Sequence, residues 1–244
     1  MKKRRVKLLT DFIWGKLLPW IVLAGLSVYV ILPLLNMIVA SVKPLSEIQV
    51  SSGGLLPSRF DFGTYVRMWE TVPLLHYIIN SLIIVSISTA VSIVISVFAG
   101  YALDRFRFRG RRLFGHFLVS AQTMPNFLIL LPLYLIYVFM RAVLRVPMVG
   151  TYQGVIITYL AFTLPFSIWM MKGFFETIPK ELEEAAFIDG CGYIGAIRRI
   201  ILPLTLPGVT AVAIYGFLLG WQEVLFASAL TDASTRTIAV GLRN

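Results

Sequence analysis

The chain is poor in the residues that most soluble machinery needs. Lys, Arg, Asp and Glu make up only 14% of its 244 residues, against about 25% in an ordinary soluble domain. There is one cysteine, Cys191, so no disulfide can form within the chain. The two histidines, His76 and His116, are far apart in sequence. With a lone cysteine they give no metal-ligand spacing. No Gly-x-x-x-x-Gly-Lys-Ser/Thr stretch occurs, which excludes a P-loop nucleotide hydrolase. No cluster of His, Asp or Ser suggests a membrane enzyme, and no long polar stretch is present to build a separate soluble domain.

What the chain has instead is apolar sequence. Hydrophobic residues make up 58%, and the mean hydropathy is +0.82. This is the composition of an integral membrane protein. The net charge of +10 would suggest a nucleic-acid partner in a soluble protein. Here the basic residues cluster at the ends of apolar runs, so they report topology, and no nucleic acid is implied. The opening "MKKRRVKLLTDFIWGKLLPW" starts like a signal peptide. The apolar run after it is too long for one and lacks a small-x-small cleavage site, so it reads as a retained first span.

A membrane-crossing helix needs about 20 apolar residues. Five stretches qualify, at about 17–42, 77–103, 113–140, 154–174 and 204–230. They predict an all-α, polytopic bundle forming one transmembrane domain over 1–244. With the N-terminus inside, the cytoplasmic segments hold Lys2, Lys3, Arg4, Arg5, Lys7, Lys16, Arg105, Arg107, Arg109, Arg111, Arg112, Lys172, Lys180, Arg198 and Arg199. That is 15 of the 22 Lys and Arg. The positive-inside rule therefore places the N-terminus in the cytoplasm.

Several spans carry Pro at their ends or inside: Pro19, Pro33, Pro125, Pro132, Pro165, Pro203 and Pro207. They fit either ordinary membrane-helix tolerance or helices bent around a path. Ser88, Ser92, Ser96 and Gly100 recur every four residues, as do Gly216 and Gly220. Each set forms a small-residue face that lets another helix approach closely.

One segment does not read as a simple connection. "EEAAFIDGCGYIGAIRRIILPL", residues 183–204, lies between the last two apolar runs. Thr177 and Pro179 suit a helix start. Glu181, Glu183 and Glu184 suit its first turn. Gly190 offers a left-handed stop. A second short helix from Gly192 would hold Ile194, Ile197, Ile200 and Ile201 on its apolar side, with Arg198 and Arg199 near its end. The result is helix, glycine corner, helix at the membrane surface. It reads as either an interfacial anchor or a docking knob for a cytoplasmic partner. The small residues beside acids favour the knob.

At this point the residues resemble a known pattern. Glu-Ala-Ala, three residues, Gly, nine residues, Ile-x-Leu-Pro is met by Glu184, Ala185, Ala186, Gly190, Ile200, Leu202 and Pro203, with Asp189 before the glycine. This is similar to the EAA loop of binding-protein-dependent ABC importers. "SVKPLSEI", "NSLIIVSISTAVSIVISVFAGYALDRFRFRGRR", "LPFSIWMMKGFFETIPKELEEAAFIDG" and "GWQEVLFASAL" resemble the smaller, second permease of the maltose-type carbohydrate importers. The resemblance implies a type I ABC-importer permease of a bacterial or archaeal cytoplasmic membrane. Its partners would be a homologous permease, two cytoplasmic ATPase subunits holding ATP and Mg, and an extracytoplasmic solute-binding protein. The chain itself would carry no cofactor and would not be an enzyme.

The loop at about 175–203 would couple to the ATPase through Glu184, Ala185, Ala186, Asp189, Gly190, Leu202 and Pro203. The family usually has six spans, so the resemblance implies a sixth; "TIAVGL" matches the loop before it, and the sixth span itself is absent from this sequence. "RAVLRVPMVGTYQG" departs from the family pattern in an external loop. Intramembrane polar residues are costly and therefore candidates for a substrate path. They are Asn80, Gln122, Asn126, Gln222 and Glu223, with Trp221 able to stack on a sugar ring. Interhelical hydrogen bonding is the competing reading for each. The expected cargo is a sugar or oligosaccharide. An acidic saccharide, polyol or glycerol phosphate is the alternative solute. A secondary transporter is disfavoured, because no clear internal repeat is visible.

Overall fold

The structure is a computed structural model that describes residues 13–48 and 56–243. Lys2, Lys3, Arg4, Arg5 and Lys7, which contribute to the charge bias, lie outside the described residues. All regular structure among the described residues is helical. The chain forms two compact units, residues 1–72 and 73–244.

The first unit is built on α1 (Leu18–Ser41), a 24-residue apolar helix with Pro33 inside it. Leu, Ile and Val side chains are exposed along its length, which suits a helix whose solvent is lipid. Further along this unit lies α2 (Gly63–Thr71). Hydrogen bonds link the described residues on either side of 49–55. Asp61 N–H donates to the Val42 carbonyl at 2.8 Å, and Arg67 Nη2 meets Asp61 Oδ2 at 2.7 Å. The Arg67 hydrogen bond holds the Asp61 carboxyl below its usual range. The Ser58 hydroxyl and N–H do the same for Glu47.

The second unit is organised by α3 (Leu74–Arg105) and α6 (Tyr152–Glu176), which pack along each other. Ser88, Ser92, Ser96 and Gly100 are all buried. The Ser92 and Ser167 hydroxyls meet at 3.3 Å. A Cβ on Gly100 would lie 2.9 Å from the Lys172 backbone nitrogen. The small-residue stripe is therefore the face that lets α6 approach. Gly216 and Gly220 do the same for α9 (Leu206–Trp221), lying against Thr89 and Val85 of α3.

Two of the expected spans take a different form. The stretch 113–140 is two helices, α4 (Arg111–Thr123) and α5 (Asn126–Phe139). Pro125 supplies no N–H, and Met124 before it is driven to extended backbone with ψ 128°, so the helix breaks there. A π-helical turn, Met140–Leu144, extends α5. The stretch 204–230 also divides. α9 stops at Trp221, and α10 (Leu225–Leu230) starts afresh. Before α9 the chain bends by 78° between the segments Tyr193–Leu204 and Leu206–Trp221.

Four helical segments among the described residues are long and apolar enough to cross a membrane: Leu18–Ser41, Leu74–Arg105, Asn126–Leu144 and Tyr152–Glu176. The bent pair makes a fifth if it is counted as one span.

Candidate functional site

The loop between α6 and α9 departs at once from the expected helix start. Thr177 caps no following helix; its hydroxyl donates to the Phe174 carbonyl at 2.7 Å and closes the end of α6. The next helix, α7 (Glu181–Ile188), has Glu181, Glu183 and Glu184 in its first turn. It ends as a Schellman motif. Gly190 N–H donates to the Phe187 carbonyl at 3.0 Å, and Cys191 N–H donates to Ala186 at 2.9 Å. Gly190 has φ +85°, the left-handed conformation that this closure requires and that a side chain resists.

The chain then turns into α8 (Tyr193–Ala196), a π-helical turn over Ile197–Ile201 and the short turn Leu202–Leu204. Ala196, Ile197 and Ile201 are buried. Ile194, expected on the same apolar side, is 73% exposed; Ala196 and Ile197 take the buried side of that turn instead.

What fixes this loop was not visible as a pattern in its own residues. Glu183 is buried, and its anchor is the end of α3. Arg105 Nε meets Glu183 Oε2 at 2.8 Å, while Arg105 Nη1 meets Asp104 Oδ2 at 2.8 Å. Arg105 Nη2 also donates to the Ile178 carbonyl at 3.1 Å. The Tyr101 hydroxyl donates to the other Glu183 oxygen. Buried charges persist when paired and hydrogen-bonded; Glu183 and Arg105 have both kinds of partner, while Asp104 Oδ2 and Arg105 Nε are held by their ion pairs without a hydrogen bond. Three rings reinforce the joint: Tyr193 packs edge-on against Phe187 at 4.9 Å and Phe106 at 5.4 Å between centroids.

In the sequence Arg105 is legible only as a topology charge. The available signal was Tyr101 and Arg105, four residues apart, with an Asp-Arg pair closing an apolar span.

The residues expected to couple divide accordingly. Ala186 is buried and Leu202 half-buried, while Glu184, Ala185, Asp189, Gly190 and Pro203 are exposed. Ile188 stands 87% exposed beside them. The loop is a small helical knob with a charged, buried root and an open tip.

The substrate-path candidates do not share one site. Asn80 is buried, and its polar atoms are engaged. Its amide donates to the Ser234 and Arg236 carbonyls, each at 3.0 Å, and its carbonyl accepts from the Tyr152 hydroxyl at 2.6 Å. Glu223 caps α10, accepting from Phe226 N–H at 3.0 Å and Ala227 N–H at 2.9 Å. Trp221 stacks on Phe217 at 5.6 Å, and Gln222 is exposed in the break before α10. Gln122 and Asn126 are the two that come together. They flank the Met124–Pro125 break and line a cavity of about 860 Å³ between α4, α5, α6 and α9. Ser120, Phe162, Phe166 and Tyr215 complete its chemistry, and among the described residues no charged side chain lines it.

Residues 92–243 match the family described as binding-protein-dependent transport system inner membrane component. The chain belongs to that family. The matched segment takes in the knob, its Tyr101–Asp104–Arg105 anchor and the cavity; Asn80 lies before it.

Among similar proteins, the diacetylchitobiose uptake system permease of Streptomyces coelicolor is 35% identical over 88% of this chain and 70% of its own. The sulfoquinovosyl glycerol transport system permease of Agrobacterium fabrum is 33% identical over 96% of this chain and 81% of its own. The fold is shared with a bacterial ABC transporter involved in importing the acidic polysaccharide alginate. That likeness has a TM-score of 0.78 at 22% identity, covering 94% of this chain and 78% of the other. As a binding-protein-dependent permease, this chain is a multi-pass inner-membrane protein working with a solute-binding protein and an ATPase. Permease subunits of this family are not themselves enzymes.

Proposed function

We propose that this chain is one half of the membrane path of an ATP-driven importer for a neutral sugar or oligosaccharide. Its knob at 181–203 transmits the ATPase cycle to the spans. The observation that carries the proposal is the construction of the knob. An exposed tip of Glu184, Ala185, Ile188, Asp189 and Gly190 stands on a root tied by Glu183 to Arg105 of α3. A push on the tip is delivered to a membrane-length helix through a buried ion pair rather than lost in a loop. In this reading the ATPase covers Ile188, which stands exposed at the tip.

In this reading the N-terminus and the knob are cytoplasmic. A second homologous permease completes a heterodimer. Each permease meets one of two ATPase subunits, which hold the ATP and Mg. The substrate passes Gln122 and Asn126, and Asn80 and Glu223 serve structure. A cavity without charge, with amide, hydroxyl and aromatic groups, suits a neutral saccharide better than an acidic one or a glycerol phosphate. The permease name of the Streptomyces relative, diacetylchitobiose uptake, supports the same class.

The test is reconstitution with the partner subunits and binding protein. Uptake of labelled neutral disaccharides would be measured beside acidic saccharides, in wild type and in Gly190→Asp. Neutral-sugar uptake lost in the variant supports the proposal. Uptake of acidic solutes alone overturns the cargo assignment, and full activity in Gly190→Asp overturns the coupling assignment.

A further inference from the structure

At the end of the bundle where α3 meets the knob, a second pocket opens between α4 and α6, with a volume of about 520 Å³. Arg111, Arg112 and His116 line it from α4, and Lys172 and Trp169 from α6. Leu103 and Leu118, both buried, form its apolar wall. No carboxylate among the described residues lines it. Glu176 pairs with Lys172 at 2.5 Å and lines the adjoining pocket instead. The two arginines therefore remain available to an anion.

The depth of the site is informative. Leu103 is two residues before the end of α3, and Lys172 four before the end of α6. Both helices are long and apolar enough to cross the membrane, so the pocket sits at headgroup level. Trp169 is half-exposed there, and Leu113 and Phe117 of α4 are exposed. A cationic pocket with apolar surroundings at that level matches a phosphate headgroup followed by acyl chains.

We infer that this pocket binds an anionic phospholipid, with Arg111 and Arg112 on the phosphate and the exposed apolar residues of α4 along the chains. The lipid would pin α4 to α6 beside the knob.

The experiment uses the full chain, delipidated in mild detergent. Native mass spectrometry would read the retention of phosphatidylglycerol, of phosphatidylcholine and of phosphatidylglycerol competed with inorganic phosphate. Preferential retention of phosphatidylglycerol is expected. Each basic residue near a lipid surface contributes a factor of about five, so Arg111→Gln with Arg112→Gln should weaken retention about twenty-five-fold. Arg107→Gln with Arg109→Gln, outside the pocket, should leave it nearly intact. Equal retention of both lipids, equal loss in both double variants, or complete displacement by millimolar phosphate would overturn the inference. If the arginine variant does not fold, quenching of tryptophan fluorescence by brominated phosphatidylglycerol decides. It should fall in Trp169→Phe, and an unchanged quench refutes the site.

Discussion

Removing the Glu183 carboxylate should detach the knob from α3 without touching its exposed tip. Glu183 is 4% exposed, so its partners do not exchange it for water. Glu183→Ala removes the ion pair to Arg105 and the hydrogen bond from Tyr101. Breaking a buried pair costs about 3–5 kcal/mol when the surviving charge is stranded. Arg105 is not stranded, because Asp104 and the Ile178 carbonyl still hold it. The expected loss is therefore smaller, about 2–3 kcal/mol. Glu183→Gln keeps an acceptor for Tyr101 or Arg105 but not both charges, and should cost about 1–2 kcal/mol.

Denaturation in mixed micelles of Glu183→Ala, Arg105→Ala and the double variant forms a cycle whose coupling should exceed about 1 kcal/mol. In the assembled importer, Glu183→Ala should lower binding-protein-stimulated ATPase while the ATPase still co-purifies. Additive effects in the cycle, together with unchanged stimulation, would refute a mechanical role for this pair.

Other consequences follow from the same geometry. Gly100→Ala places a Cβ 2.9 Å from the Lys172 nitrogen and should destabilise the α3–α6 pair by about 1–3 kcal/mol. Gly173→Ala, with nothing within 4 Å, should not, and denaturation of the two side by side checks this. Asn80→Ala should free the 231–237 segment, seen as faster protease cleavage there with the knob intact. The Ser234 hydroxyl and N–H, with Thr235, hold the Asp232 carboxyl below its ordinary value. The stability it adds is full above the ordinary carboxylate pKa near 3.8 and is lost as pH falls through the lower folded value. Protection of that loop against hydrogen exchange should weaken at low pH in wild type, and Asp232→Asn should remove the pH dependence.

The spans were legible where composition decides them. The helices at 18–41, 74–105 and 152–176 follow directly from runs of apolar residues, and the small-residue stripe foretold the close contact of α3. Pro125 and Glu223 show what hydropathy averages away. Both sit inside continuous apolar stretches, yet one breaks a helix and the other caps a new one. The Gly190 corner was readable because positive φ selects glycine. The Glu183–Arg105 lock was not, since its partners are 78 residues apart and their pairing depends on tertiary packing. Asn80 looked like a path residue for the same reason: its hydrogen-bond partners belong to a distant loop.

The most direct test of the coupling claim is site-specific cross-linking in the assembled transporter. Cys191→Ser removes the native thiol, and Ala185→Cys places one on the tip of the knob for a short photoreactive maleimide. The account predicts a cross-link to the ATPase subunit that Gly190→Asp abolishes. A cysteine at Asp232, on the loop beside Asn80 near the other end of α3, should give none. A thiol at 185 that labels freely yet never joins the ATPase would contradict the account.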